Sequence, residues 1–474
     1  MPPRFHIALL GLILLWYTSL AIGYALVTPR WNNPDEPAHF NYARTLARDH
    51  RLPVLSPGDW DADLLERLKA SRFPNDADIS TIRYEGHQPP LYYLLAAGVL
   101  RAIENAPLPR QVFALKLLSI GLGTLTVTGT FLLARVLAPG RPALALVAAA
   151  VAAYVPMNTA MSAAVNNDSL ANGLAALTLA AIAYGLRRGF DDRGASLFGF
   201  LLGALLLTKV TVYGFVALGL ATVAAAEYTR LHRVGHIEMA ALIRRPLLCL
   251  GGALAVSGWW FARGVQVYGW NDPLGLIRHD LVVVGQPRFP GFEMGAIAYV
   301  GQTLFRSFWG QFGWMGIVLD ERLYSIYLVL TLAAMIGWLA QRSLGRQAER
   351  RQQTPDEEVT VGVRDGTGGW LAALIDDERR LTLVLMVAAT ALVFFQVGYY
   401  NLTYVQAQGR YLFPALGPIS IGLAAGWLAW CSMIPLGSRW RRGTERSLSA
   451  MAVLTLLLLN AACLLRFVAP AFRP

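Results

Sequence analysis

Eleven apolar runs recur along the whole chain, near residues 5–27, 89–103, 113–134, 142–160, 168–186, 195–228, 246–262, 322–341, 381–399, 411–433 and 447–466. A helix needs ~20 apolar residues to cross the hydrocarbon core of a membrane, and most of these runs approach or exceed that length. With 55% hydrophobic and 15% charged residues in 474, the chain is too apolar for an ordinary soluble protein. It reads as an all-α polytopic membrane protein. The first run, "FHIALLGLILLWYTSLAIGYALV", is too long for a signal-peptide core and is read as a retained first span. Cys249, Cys431 and Cys463 all lie in apolar runs without metal-like spacing and read as buried small hydrophobes.

Two runs are ambiguous: 89–103 is short before Arg101, and 195–228 is long enough for two spans broken at Lys209. Loop charge arbitrates, because arginine and lysine collect on the cytoplasmic side. If 89–103 spans, the segments "ARVLAPGRP" and "LRRGFDDRG" face outward. If it lies at the surface and 195–228 crosses twice, every arginine-rich connection falls on one side: Arg135 and Arg141; Arg187, Arg188 and Arg193; Arg230, Arg233, Arg244 and Arg245; and the loops at 342–380 and "GSRWRRGTER". The second arrangement predicts about eleven spans in a single transmembrane domain over 1–474, with the N-terminus inside. It places a large outer loop at 29–112 carrying two interfacial helices near 35–50 and 89–103, a polar inner connector at 342–380, and C-terminal spans over 381–474. The formal charge of +11 is then explained by inner-loop arginines, and no nucleic-acid partner is expected.

With sidedness set by loop charge, the polar residues that interrupt apolar context gather on the outer face. Asp35, Glu36 and His39 follow the first span in "NPDEPAHF"; "YEGHQPPLYY" brings Glu85 and His87; "AAVNNDSLAN" brings Asp168 to the start of the fourth span. Lys209 sits at the turn between spans five and six, Arg263, Tyr268 and Asp272 at the end of span seven, and Arg410 and Tyr411 at the start of span ten. Each has an ordinary explanation taken alone: Asp168 as a helix-start acid, Asp35 before Pro37 as the opening of a surface helix, the arginines as span-end anchors, and the tryptophans as an interfacial belt. Lys209 is the hardest to explain so, being one of three lysines and isolated in "LLLTKVTVYGF". A cation there is costly unless paired, and a lipid phosphate is a natural partner.

A carboxylate near water, cations at the membrane boundary and aromatics suit transfer of a group from a lipid-linked phosphate to an acceptor hydroxyl or amine. The phosphate needs cations as its charge grows, and the acceptor needs a base such as Asp35 or Glu36. The acids and histidines are also candidate ligands for a divalent cation.

The order of a first span, an Asp-Glu motif, "HQPPLYYLL", an "NND" span start and "LLTKVTVYG" resembles the GT-C superfamily of polyprenyl-phosphate-sugar-dependent membrane glycosyltransferases, which includes the protein O-mannosyltransferases and lipid A aminoarabinose transferases. "GWWFARGVQVYGWNDPLG", "FRSFWGQFGWMG" and "QAQGRYLFPALGP" resemble a bacterial branch of membrane proteins in the same clan, so the likeness runs from residue 5 to about 425. Gln88 stands where many relatives carry a charge before the Pro-Pro pair. The resemblance implies a sugar donor on a polyprenyl phosphate in a bacterial inner membrane, and an active site on the periplasmic or extracellular side. It implies Asp35 as the catalytic base, with the second acid Asp168 near the phosphate; the residues themselves add Glu36 as a second candidate catalytic carboxylate and His39, His87 and Asp168 as candidates on the acceptor side. It implies Lys209, Arg263 and Arg410 at the donor phosphate, with Tyr411 beside Arg410, and a polysaccharide, lipid or protein as acceptor; independently of the resemblance, the acids and histidines at 35, 39, 87 and 168, Asp35 and Asp168 first among them, are candidate ligands for Mg2+ or Mn2+. Two other classes share parts of the pattern. A polymerase or ligase using the same lipid carrier would depend on outer arginines, and a transporter of lipid-linked sugars would carry ionisable residues in mid-membrane and two-half symmetry.

Overall fold

The computed structural model describes residues 3–234, 239–286, 288, 294–352, 378–433 and 438–473. The first apolar run forms α1 (Pro3–Val27), followed by an outer loop that holds α2 (Glu36–Asp49), α3 (Ala62–Ala70) and α4 (Leu91–Ala102). The central helices are α5 (Leu108–Leu137), α6 (Pro142–Tyr154), α7 (Pro156–Ser162), α8 (Asp168–Arg188), α9 (Asp192–Leu206), α10 (Gly214–Val234) and α11 (Met239–Tyr268). Then come α12 (Leu276–Val282), α13 (Met294–Trp309), a two-stranded hairpin (β1 Gln311–Phe312, β2 Ile317–Val318), α14 (Glu321–Gln352), α15 (Glu378–Asn401), α16 (Leu416–Met433) and α17 (Ser438–Cys463). The connector expected at 342–380 lies largely outside the described residues.

Among the described residues, nine helices are long and apolar enough to cross a membrane, and the pair α6 and α7, bent by 62°, makes a tenth. Helix α9, at 15 residues, falls short of that length. It nonetheless runs between the same two ends of the bundle: Asp192 at its start pairs with Arg244 and Arg245, and Lys209 just beyond its end pairs with Asp168. The expectation of about eleven crossings agrees with this arrangement. The arginine-rich connections meet one another at one end, where Arg141 lies 3.9 Å from Glu445 and Arg230 and Arg245 pair with Glu227. Asp35, Asp168, Lys209 and Arg410 meet at the other.

The break between α6 and α7 follows from Pro156, which has no N–H to give the carbonyl of Ala152 one turn back. Inside a membrane a freed carbonyl must be satisfied by protein. The Asn158 side chain donates to Ala152 O at 2.8 Å, the Thr159 hydroxyl to Ala153 O at 2.9 Å, and Asn460, from α17, donates to Tyr154 O at 3.3 Å and to the Thr159 hydroxyl at 2.7 Å. We expect Asn460→Ala to lower stability by about 1 kcal/mol, read as a lower unfolding midpoint in detergent; an unchanged midpoint would show that the bend holds without this clamp.

The structure adds two features to the outer loop. A third helix, α3, is present, opened by Asp61, whose side chain accepts from Leu64 N at 2.8 Å. Helix α2 is enclosed by the rest of the chain: Glu36 through Ala43 are all buried. Helix α4 covers one side of it, stacking Tyr93 on Tyr42 with ring centroids 3.6 Å apart.

Candidate active site

Asp35 sits in the turn between α1 and α2 with φ 64°, a left-handed conformation that costs a non-glycine residue of order 1 kcal/mol and persists only when its surroundings hold it. The holding group is its neighbour. Glu36 points inward, fully buried, and accepts from Trp31 N at 2.8 Å, from the Asn33 side chain at 3.4 Å and from Val165 N at 3.1 Å. Lys116 of α5 lies 3.7 Å from it and donates to Thr28 O at 3.0 Å. The contacts of Glu36, expected as a second catalytic carboxylate, tie α2 to α5 and to the segment before α8. All its bonds run into the protein interior.

The Asp35 side chain keeps its two oxygens toward a chain of polar groups. One accepts from the Tyr84 hydroxyl at 2.7 Å and the other from Arg410 at 2.5 Å. The other terminal nitrogen of Arg410 is 3.6 Å from Asp168, which accepts from Lys209 through its second oxygen at 2.5 Å. Tyr84, Asp35, Arg410, Asp168 and Lys209 thus form a continuous line drawn from the outer loop and from the ends of α8, α9 and α16. Burial opposes the charge on Asp35, but Arg410, His39 and Tyr84 outweigh it and hold its carboxyl well below the usual range. Arg410 is positioned by Gly409, whose N–H donates to the Ser307 hydroxyl at 2.7 Å. A Cβ at Gly409 would meet Phe308 N at 2.2 Å, so only glycine allows this approach.

His39 stands beside this line, its Nδ1 2.8 Å from the Tyr93 hydroxyl, and burial lowers its pKa. Asp35, His39 and Glu85 offer ligand atoms all within 4.8 Å of one another. One Glu85 oxygen is buried without a hydrogen-bond partner. The candidate metal ligands are thus Asp35, His39 and Glu85; between Asp35 and Asp168, the pair expected from sequence, the Arg410 guanidinium intervenes.

Arg263 and His87 stand apart from the line. Arg263 donates to the carbonyls of Leu52 at 3.3 Å and Pro53 at 2.8 Å and lies 5.1 Å from the Trp260 ring, pinning the outer loop to α11. Tyr411 donates to the Gln406 side chain at 3.0 Å and places its ring 5.2 Å from the Arg410 guanidinium. His87 bonds to Tyr84 O at 3.2 Å and faces the His279 ring of α12 at 4.8 Å. Burial, then His279, pushes its pKa down from 6.5 to about 3. Its folded value lies below its unfolded one, so its contribution is complete above pH 6.5 and is lost as pH falls toward 3. We expect unfolding midpoints to drop across that window and His87→Asn to flatten the drop; an equal slope in the variant would remove His87 from the account. Sequence reasoning missed Tyr84 as a partner of Asp35 and Lys116 as a partner of Glu36. The first lies directly before "EGHQPP"; the second had no signal beyond the rarity of lysine.

A family model described as "Predicted membrane protein (DUF2142)" matches residues 89–417. No curated protein matches the sequence. Among solved structures, the chain is similar to ArnT from Cupriavidus metallidurans bound to undecaprenyl phosphate, at 14% identity over 100% of this chain and 74% of that one, with a TM-score of 0.49. It is similar to the oligosaccharyltransferase of Archaeoglobus fulgidus in the apo form, at 12% identity over 97% of this chain and 56% of that one, with a TM-score of 0.50. The same archaeal enzyme in complex with Zn and sulfate matches at 12% identity over 95% and 52%, with a TM-score of 0.48. The chain therefore spans about three quarters of the first structure and little more than half of the archaeal one. The likeness to the apo archaeal enzyme, over nearly the whole chain, identifies the fold as GT-C. This multi-pass membrane protein belongs to the DUF2142 family of predicted membrane proteins.

Proposed function

We propose that this chain is a membrane glycosyltransferase that moves a sugar from a polyprenyl-phosphate donor to an acceptor, with Asp35 as the base. The observation that carries the reading is the line Tyr84, Asp35, Arg410, Asp168, Lys209 at one end of a GT-C bundle. An acceptor hydroxyl or amine attacks the anomeric carbon, the bond from that carbon to the phosphate oxygen breaks, and polyprenyl phosphate leaves with the electron pair. The acceptor proton passes to Asp35. Arg410 and Lys209 stabilise the phosphate as its charge grows. Once Arg410 turns toward the phosphate, the Asp35 oxygen that it occupies is freed to take the acceptor proton. Of the other expected phosphate ligands, Tyr411 follows Arg410 and orders its guanidinium, whereas Arg263 acts by fixing the loop at 52–55.

The set Asp35, His39 and Glu85 fits a divalent cation such as Mg2+ or Mn2+, because an unpartnered buried carboxylate oxygen asks for one. Bound there, it would supply further positive charge to the donor phosphate. We expect chelation to lower transfer and Glu85→Gln to raise the metal needed for half-maximal rate by about tenfold or more; a rate indifferent to both would sink the metal site. On this reading the Asp35 end of the bundle faces the periplasm or exterior of a bacterial inner membrane and the N-terminus the cytoplasm. The acceptor is an envelope polysaccharide, lipid or protein. The test is incubation of membranes bearing the protein with radiolabelled polyprenyl-phosphate sugars. Label should appear in a membrane or envelope product, whereas vectorial movement of an intact lipid-linked sugar would make the chain a transporter.

A further inference from the structure

At the end of the bundle away from Asp35, α1, the start of α6 and the start of α17 enclose a cleft of about 690 Å³. His6, Arg141, Glu445 and Arg446 line one mouth, and the other polar groups of the lining, the Ser449 and Tyr154 hydroxyls, already donate to the carbonyls of Glu445 and Ile13. The rest is apolar and runs along Leu12, Trp16, Leu146 and Leu457. Leu12, Trp16 and Leu454 remain 49%, 48% and 54% exposed, so the cleft opens sideways toward the membrane. From Phe5 to Trp16, α1 rises ~17 Å at ~1.5 Å per residue, about half the ~30 Å core. The cleft thus has the depth of one leaflet, with charge at its outer edge and hydrocarbon lining inward.

The charge at the mouth selects the headgroup. Arg141 is 3.9 Å from Glu445, at the limit of an ion pair. Arg446 is exposed and forms no ion pair among the described residues. One cation is left over, and an anion is its complement.

We propose that this cleft binds an anionic glycerophospholipid of the leaflet opposite the candidate active site, its phosphate between Arg141 and Arg446 and an acyl chain along Trp16, Leu146 and Leu457. The lipid bridges α1 and α17, which otherwise leave this face of their contact open. It is distinct from the donor of the proposed reaction, whose site lies beyond the opposite end of α1, so the inference stands whether or not that reaction is correct.

The test uses the full chain in detergent, titrated with dioleoyl phosphatidylglycerol or dioleoyl phosphatidylcholine, bound lipid being counted by native mass spectrometry. The wild type should retain phosphatidylglycerol in preference to phosphatidylcholine. Arg446→Gln should weaken phosphatidylglycerol binding about fivefold, the share of one basic residue near a membrane surface, and leave phosphatidylcholine unchanged. Ala450→Trp fills the cleft and should abolish tight binding of both; Leu12→Trp, on the opposite wall and already exposed, fills it equally should the first variant fail to fold. Equal retention of the two lipids by the wild type, or phosphatidylglycerol binding unaltered in the arginine and tryptophan variants, overturns the proposal.

Discussion

Asp35→Asn is expected to lower sugar transfer by ~10² to 10⁴-fold, the usual worth of a positioned general base, while the protein folds and inserts as before. Asparagine keeps the shape of the side chain, and its one oxygen can accept from Arg410 while its amide nitrogen donates to the Tyr84 hydroxyl, but it carries no charge and takes no proton. Arg410 is not left without a counter-charge, because its other nitrogen faces Asp168 at 3.6 Å. The unfolding midpoint should therefore move little while the rate collapses. Full transfer in Asp35→Asn would remove Asp35 from the chemistry. The pairing also bears on how a polymerase-like arginine mechanism is distinguished. Because Arg410 donates to Asp35 at 2.5 Å, deleting either disturbs the other. Conservative changes separate them: Arg410→Lys keeps the charge but loses the fork that reaches both acids, and should cost less than Asp35→Asn if the carboxylate does the chemistry.

Changing the adjacent carboxylate should do the reverse. Glu36→Ala is expected to destabilise the protein by about 3–5 kcal/mol, the cost of breaking a buried pair and leaving one charge behind, and any loss of transfer should follow loss of folded protein. The Lys116 side chain is 3% exposed and the Glu36 side chain 0%, so neither is rescued by water. Glu36→Ala also orphans the N–H groups of Trp31 and Val165. Removing the lysine as well, in Glu36→Ala with Lys116→Met, should recover part of the stability, and a thermodynamic cycle over the two sites measures the coupling. Wild-type stability in Glu36→Ala would mean that these contacts are dispensable.

The two neighbours illustrate what the sequence could and could not decide. Length and apolarity of the runs were enough for a polytopic helical bundle, and loop arginines were enough to send Asp35, Asp168, Lys209 and Arg410 to a common end. Both arguments rest on solvent preference, which acts on each segment separately and is legible locally. The different partners of Asp35 and Glu36 were not legible, since both are carboxylates at the start of the same helix. They depend on the rotation of α2 about its axis, and that rotation is set by the stacking of α4 and by a lysine eighty positions away. The partnership of Arg410 with Asp35 joins residues 375 positions apart. The close approach of Gly409 to Phe308 that supports it likewise has no local signature. Hydropathy and charge determined which residues reach the membrane face; packing of helices distant in sequence decided which of them meet, because an ion pair depends on the relative placement of two backbones that no single segment encodes.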